Sequence, residues 1–325
     1  MKRLLDRTSP RILMSISGLL LGTTLIFSEI GILAYIFLIP LGLGIFKRAE
    51  DGGYNTKRAY IDGFVFYMSL DIVAFHWILY FYPLDFVGLS NFESLTVILL
   101  GWVGLSMLQS VFSAFVFVII SKFLRTKIYS RYPILLAPFT AALFVINEWS
   151  QTFTWAGVPW ARIGISQTSM PILMQTVSLF GSYFLTFIIV VFNILIAYAI
   201  LSKNKRRMAA VLALAIFIFN FAVSAVLYII PSHDYERDVC VATVQGNIDT
   251  KSRMLMSEIF VVYEALVRDA VSNGAELVIL PEGTFPTDID SVIKYDIGYK
   301  KIADALSDLA TKLGATIVAG SFVDF

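Results

Sequence analysis

The segment at residues 275–286, AELVILPEGTFP, joins a short apolar run to a turn that carries one acid. Residues 277–280 have the length and composition of a buried strand, which Pro281 ends. Glu282 follows at the strand end, and Gly283 behind it gives the backbone unusual freedom. Open α/β sheets place functional groups at the carboxyl ends of strands. The segment therefore predicts an α/β domain in which Glu282 is the candidate catalytic residue.

Two more strand patterns and two helix patterns flank this segment. Residues 239–244 (VCVATV) and 315–319 (ATIVA) are typical of buried strands, whereas residues 257–270 and 300–313 have amphipathic helical periodicity. The order β-α-β-α-β predicts a layered α/β domain, which we place at residues 231–325.

The rest of the chain has the composition of a membrane protein. Hydrophobic residues make up 58% of the 325 residues, above the share of roughly half in soluble proteins. Because about 20 apolar residues span a bilayer, we expect about seven helices within residues 1–230. The apolar runs lie at residues 12–27, 30–46, 60–82, 94–123, 133–149, 171–201 and 208–230.

Composition also excludes several functional classes. The net charge of +1, without a basic patch interleaved with aromatic residues, argues against a nucleic-acid partner. Cys240 is the single cysteine, which excludes an internal disulfide and a cysteine-rich metal site. No metal site or cofactor is predicted. Cys240 lies within the first strand pattern, so we expect a buried structural cysteine.

Charges in the loops predict the orientation in the membrane. Every second loop is basic, and basic loops face the cytoplasm. The amino terminus is therefore predicted to be cytoplasmic, and residues from 231 onward extracytoplasmic or periplasmic. The basic residues that flank the runs include Lys2, Arg3, Arg7, Arg11, Lys47, Arg48, Lys57, Arg58, Lys122, Arg125, Lys127, Arg131, Lys203, Lys205, Arg206 and Arg207.

Polar residues within the apolar runs carry further expectations. Asp71 is either a functional intramembrane acid or a group paired within the helix bundle. Asn147, Gln175 and Asn193 are expected to form hydrogen bonds between helices.

Three segments of the α/β region resemble the opening of a nitrilase-type carbon–nitrogen hydrolase domain. They are VQGNI at residues 244–248, LPEGTFP at 280–286 and GATIVAGSF at 314–322. The resemblance implies an αββα sandwich of which this chain holds the first part. It also implies that Glu282 is a general base, partnered by a lysine and a nucleophilic cysteine that the family places beyond the third strand.

The membrane region resembles the bacterial apolipoprotein N-acyltransferases. Glu148 and Trp149, followed by GVPWARIGISQ at residues 157–167, are similar to a Glu-Trp and Gly-Phe-Pro-Trp segment of that family, with Val158 in place of the usual aromatic residue. A His-Trp pair on the family's third helix is similar to His76 and Trp77. Interfacial aromatic residues alone would also explain this composition. The candidate substrate contacts are Trp149, Trp155, Pro159, Trp160, His76 and Trp77.

The resemblance implies a two-step acyl transfer in the bacterial inner membrane. A cysteine thiolate takes an acyl chain from a phospholipid, and the thioester then acylates the amino group of the diacylglyceryl-modified cysteine of an apolipoprotein. No residue of this chain can be assigned as the lysine or the nucleophile, so we expect an incomplete portion that is inactive alone. The alternative is a non-catalytic or degenerate membrane protein that binds lipid or a partner.

Overall fold

The computed structural model describes residues 8–50, 54–153, 157–230, 238–248, 254–295 and 298–322. Its contacts divide the chain into two units, Met1–Ser232 and His233–Phe325.

The first unit is built from helices, several of them interrupted. The α-helices are α1 (Pro10–Ile26), α2 (Ala34–Phe37), α3 (Ile39–Glu50), α4 (Thr56–Ala74), α5 (Asn91–Ser113), α6 (Phe115–Phe123), α7 (Lys127–Arg131), α8 (Leu136–Ser150), α9 (Pro171–Met174), α10 (Val177–Phe180), α11 (Tyr183–Leu201) and α12 (Arg206–Ile229). Short 3₁₀ helices cover Ser28–Leu33, His76–Phe81, Asp85–Val87, Pro133–Leu135 and Ile163–Gln167.

Within the described residues, five helical segments are long and apolar enough to cross a membrane. They are Ser28–Glu50, Asn91–Phe123, Pro133–Ser150, Tyr183–Leu201 and Arg206–Ile229. These segments confirm the predicted multi-span helical domain. The first apolar run forms α1, which is shorter than a full span, and the third forms α4, which carries Asp62 and Asp71. The count of seven spans therefore stays a prediction.

The hydropathy of residues 171–201 predicts one continuous helix, but the structure divides this run into α9, α10 and α11. Gly181 adopts a φ of 77°, which ends α10 and lets α11 start at Tyr183. The short helices α9 and α10 are tied to α12, because Thr176 donates its N–H to Ser224 and its hydroxyl to Asn220. Asn220 in turn donates to the Leu173 carbonyl at 2.9 Å.

A second break, between α2 and α3, depends on Asn193 of α11. Pro40 supplies no N–H, so the chain cannot continue a regular helix through Leu38. The Leu38 N–H donates to Asn193 Oδ1 at 3.1 Å, and Asn193 Nδ2 donates to the Ala34 carbonyl at 2.9 Å. The predicted hydrogen bonds between helices are therefore confirmed for Asn193. The prediction is wrong for Gln175, because its amide donates to the Pro171 carbonyl one turn earlier in the same segment.

We expect Asn193→Leu to destabilise the first unit by about 1–2 kcal/mol, because two buried backbone groups lose their partner. Thermal unfolding in detergent measures the effect. The matched control is Gln175→Leu, which removes an exposed amide and should change the melting temperature little. Equal melting temperatures for the two variants would contradict this role of Asn193.

A buried ion cluster ties α1, α3 and α4 together. Asp62 is fully buried and accepts hydrogen bonds from Arg11 Nε at 3.0 Å and from Arg48 Nε at 2.7 Å. A buried carboxylate is tolerated only with such partners. The cluster lies beside basic residues of the chain, at the end of the bundle that the charge pattern predicts to face the cytoplasm.

Asp62→Ala should lower the stability of the unit by about 1–3 kcal/mol, since Arg48 is left with a buried charge while Arg11 can reach water. The measurement is thermal unfolding of the purified chain, with the exposed Asp85→Ala as control. A loss no larger than that of the control would show that the cluster does not stabilise the bundle.

The second unit contains a parallel three-stranded sheet. Strand β2 (Leu277–Ile279) lies between β1 (Val241–Thr243) and β6 (Thr316–Val318), and both pairings are parallel. The helices α13 (Met256–Ser272) and α14 (Ile302–Leu313) connect these strands. The predicted β-α-β-α-β order is therefore confirmed for these elements.

One face of this sheet packs on the helices. Ala242, Val278 and Ile317 share one register row, and all three belong to the core formed with α13 and α14. Residues one position away in the register, including Val241 and Val318, are about half exposed. The alternation follows from the period of two along a strand.

Four strands were not predicted. They are β3 (Phe285–Asp288), β4 (Val292–Tyr295), β5 (Gly298–Lys301) and β7 (Ser321–Phe322), of which β4 and β5 form an antiparallel pair and β3 pairs with β7. Lys300 of β5 forms an ion pair with Asp308 of α14, and this contact holds the pKa of the Asp308 carboxyl below its usual value.

The expectation for Cys240 is wrong on both counts. Its side chain is exposed, and it precedes β1 rather than lying within it. Its backbone carbonyl accepts the Glu276 N–H at 2.8 Å, so the backbone joins the sheet edge while the thiol does not enter the core.

Candidate active site

Glu282 lies in the turn that follows the central strand β2. The Leu280 N–H donates to the Val318 carbonyl at 2.8 Å, which extends the sheet one residue beyond β2. Thr284 closes the turn, with its hydroxyl donating to the Pro281 carbonyl at 2.6 Å. The Glu282 side chain is exposed and forms no hydrogen bond or ion pair with another described residue. The carboxylate is thus presented at the carboxyl edge of the sheet, as the sequence predicts.

Gly320 brings the chain after β6 against this turn. A Cβ atom at position 320 would lie 2.1 Å from the Glu282 carbonyl oxygen, so only glycine allows the observed path. Beneath the turn, Phe285 is fully buried and packs on Phe260 and Tyr263 of α13. The backbone of Glu282 is therefore held from two sides, while its side chain is exposed.

In the first unit, the candidate substrate contacts fall into two aromatic groups. The rings of Trp77 and Trp160 lie 5.0 Å apart in an edge-to-face arrangement, and Phe75 contacts the same Trp160. Trp149 instead packs on Phe153, with ring centroids 4.5 Å apart. Trp160 and Trp149 remain about half exposed, which leaves ring surface for a ligand.

The remaining candidates are placed as follows. His76 Nδ1 lies 3.0 Å from the Val73 carbonyl, and the imidazole packs on Tyr80. Pro159 is partly buried beside Trp160. Trp155 lies outside the described residues. The structure therefore brings Trp77, Trp160 and Phe75 together, although 83 residues separate the two tryptophans along the chain.

Glu148 holds the loop that carries Trp160. This buried carboxylate accepts the Ile163 N–H and the Thr186 hydroxyl, both at 2.8 Å. Thr186 also accepts the Gly164 N–H at 3.0 Å, so one carboxylate fixes two consecutive residues of the loop to α11. In the sequence, Glu148 stands out only as part of the Glu-Trp motif. Its signal was an acid inside an apolar run, where an unpaired charge is costly.

The far end of the loop is fixed as well. Gln167 Nε2 donates to the Gly31 carbonyl at 2.7 Å. Gly31 approaches so closely that a Cβ there would lie 1.7 Å from the Ser166 carbonyl oxygen. The segment at residues 163–167 is therefore built into the protein rather than free at its surface.

The described residues contain no group of three or more His, Cys, Asp or Glu side chains arranged to hold a metal ion.

Comparison with known families agrees with the motif resemblance. The sequence model described as "Apolipoprotein N-acyltransferase N-terminal domain" matches residues 17–195, more than half of the chain. This chain belongs to the apolipoprotein N-acyltransferase family. The matched range runs from within α1 to within α11, and it includes the Glu148 loop and the pair Trp77–Trp160.

Individual relatives carry the same name. A protein of Gloeobacter violaceus named apolipoprotein N-acyltransferase is 26% identical over 265 residues, which is 79% of this chain and 47% of the relative. A protein of that name from a Nostoc species is 25% identical over 262 residues, 78% of this chain and 51% of its own length. A protein of that name from Allorhizobium ampelinum is 29% identical over 153 residues, which is 45% of this chain and 28% of the relative.

The chain spans about half the length of the first two of these relatives. Membership in a bacterial acyltransferase family, together with five apolar helices, fits a bacterial membrane protein.

Glu148→Ala should release the loop, because Ile163 and Thr186 both lose their acceptor. Trypsin cleavage after Arg162 measures the release, and we expect a rate increase of about tenfold or more. Glu148→Gln should be intermediate, since an amide offers one acceptor oxygen where the carboxylate offers two. The exposed Glu29→Ala is the control. An unchanged cleavage rate in Glu148→Ala would show that other contacts hold the loop.

Proposed function

We propose that this chain supplies the membrane portion and the first part of the catalytic domain of an apolipoprotein N-acyltransferase. The reaction transfers an acyl chain from a phospholipid to the amino group of a diacylglyceryl-modified apolipoprotein cysteine. The observation that carries the proposal is the family match over residues 17–195, joined to a second unit that presents Glu282 at a strand end. The second unit is assigned as nitrilase-like on its three motifs.

The polarity of the helices supports the proposed topology. Helix α4 starts beside Lys57 and Arg58 and ends next to His76, and α8 follows Arg131 and carries Trp149 in its last turn. Basic residues therefore lie at one end of these helices and the aromatic candidates at the other. This arrangement fits a cytoplasmic basic face and an outer aromatic face. The aromatic face would meet the ester groups of the outer leaflet, where the acyl donor is attacked.

Three roles follow for the residues of this chain. Trp77 and Trp160 would contact the lipid or the lipid-modified peptide, since indole rings favour the membrane interface. Glu148 would keep Trp160 in place. Glu282 would act as the general base that takes the proton of the nucleophilic thiol, because only the thiolate attacks the ester.

Cys240 does not fit the nucleophile. It precedes β1 at the start of a strand, whereas Glu282 follows β2 at the opposite, carboxyl end of the parallel sheet. The two side chains are therefore at opposite ends of adjacent strands. We assign the nucleophile and its lysine partner to other residues of the whole protein, and we expect the 325-residue chain alone to be inactive.

The test expresses the complete reading frame that includes this chain, in membranes depleted of other N-acyltransferase activity. A phospholipid with a labelled acyl chain and a diacylglyceryl peptide are supplied, and mass spectrometry follows the acylated product. Glu282→Gln should lower the rate by about 10²-fold or more, the usual contribution of a general base. The matched control is Glu276→Gln, at the other end of the same strand, which should retain activity.

Two results would contradict the proposal. Product formed by the 325-residue chain alone would show that its own residues complete the site. A complete protein that binds phospholipid but forms neither thioester nor product would favour the non-catalytic alternative, a membrane protein that binds lipid or a partner.

A further inference from the structure

A small cavity lies inside the first unit, beside the Glu148 loop. Its volume of about 20 Å³ is enough for one guest the size of a water molecule. Polar side chains from α4, α5 and α8 line it, together with Gln151 directly after α8. They are Tyr67, Asp71, Gln109, Asn147, Glu148 and Gln151. All six bring oxygen atoms, and none of the described lining residues carries a positive charge.

The two carboxyl groups of the cavity differ in their partners. Glu148 accepts two hydrogen bonds, and the charge of Arg162 acts on it. Asp71 is equally buried but receives one hydrogen bond, from the Ser110 hydroxyl at 3.1 Å. Among the described residues, no lysine or arginine forms an ion pair with Asp71, whereas Asp62 of the same helix has two. An ionised carboxylate in this position lacks a counter-charge.

Tyr67 gives independent support for a guest. Its side chain is 5% exposed, lines the same cavity, and has a hydroxyl without a hydrogen-bond partner among the described residues. Glu148 and Asp71 line the same cavity. A buried hydroxyl without a partner is unfavourable, so a guest that binds its oxygen would remove this penalty.

We propose that the cavity binds one small monovalent cation, such as Na⁺, against Asp71 and the Tyr67 hydroxyl. The charge of one ion balances the one carboxylate that has no counter-charge. Carboxylate, amide and hydroxyl oxygens are the ligands that hard cations prefer. A divalent ion fits less well, because the described residues contain no cluster of three acidic or metal-ligating side chains.

The site has a distinct structural effect. The ion would join α4, which carries Tyr67 and Asp71, to α8, which carries Asn147 and Glu148. It would therefore stabilise the helices directly beneath the Trp77–Trp160 pair. This inference concerns ion binding by the first unit and does not depend on the acyltransferase reaction.

The experiment measures thermal unfolding of the purified chain in detergent, with NaCl replaced stepwise by N-methyl-D-glucamine chloride at constant ionic strength. A ligand that binds only the folded state raises its melting temperature, and we expect a rise of about 2–5 °C in saturating Na⁺. Tyr67→Phe should shift the midpoint of this titration to several-fold higher Na⁺. Asp71→Asn should abolish the rise.

Asp85→Asn is the matched control, because it makes the same chemical change at an exposed position outside the cavity and should retain the full rise. Two results would overturn the proposal. Equal melting temperatures of the unmodified chain in the two salts would show that Asp71 is neutral and the cavity holds water at most. A rise that persists in both Asp71→Asn and Tyr67→Phe would place the ion elsewhere.

Discussion

Backbone groups that are released where a helix breaks inside a membrane must find partners within the protein, because lipid offers none. The first unit meets this constraint three times. Asn193 binds the break between α2 and α3, Asn220 and Ser224 bind the short helices α9 and α10, and Glu148 with Thr186 binds the loop at Ile163. In each case a polar side chain of a long, continuous helix satisfies the backbone of an interrupted one.

The same arrangement positions the aromatic residues that are the candidate substrate contacts. Helices α8, α11 and α12 supply the fixed polar groups, and the interrupted segments supply irregular backbone that can carry exposed rings. Trp160 lies on such a segment, and Trp77 lies in a 3₁₀ helix that follows α4. The two tryptophans therefore lie on irregular backbone, and the loop of Trp160 is held by hydrogen bonds to Glu148 and Thr186.

Local sequence patterns predicted much of the fold. The elements that were not predicted depend on contacts between residues distant in sequence. The periodicity of α13 and α14 and the apolar strands β1, β2 and β6 are short-range patterns, and the structure contains them within a few residues of the expected bounds. The strand β3 escaped prediction because its partner is the remote, two-residue β7. The interruption at Gly181 escaped because hydropathy stays high on both sides of it.

For the candidate site residues, too, the sequence indicates their positions but not their distant contacts. The position of Glu282 at a strand end could be inferred from LPEG alone, but the constraint from Gly320 needed the folded chain. Asp71 could be recognised from the sequence as an acid in an apolar run, but only the structure distinguishes its partner from those of Asp62. Asp62 has two arginine partners, while Asp71 has one serine. Cys240 was expected in the core because cysteine usually is buried, a general tendency that its place before the edge strand overrides.

The contact between Glu148 and Thr186 also has a consequence for biosynthesis. The two residues are 38 positions apart, so the ribosome completes α8 before the hydroxyl partner in α11 has been made. At about 5–20 residues per second, this interval lasts roughly 2–8 s. During that time Glu148 lacks the hydroxyl partner that it has in the folded protein. The packing of α8 against α11 at this contact can therefore form only after α11 has been made.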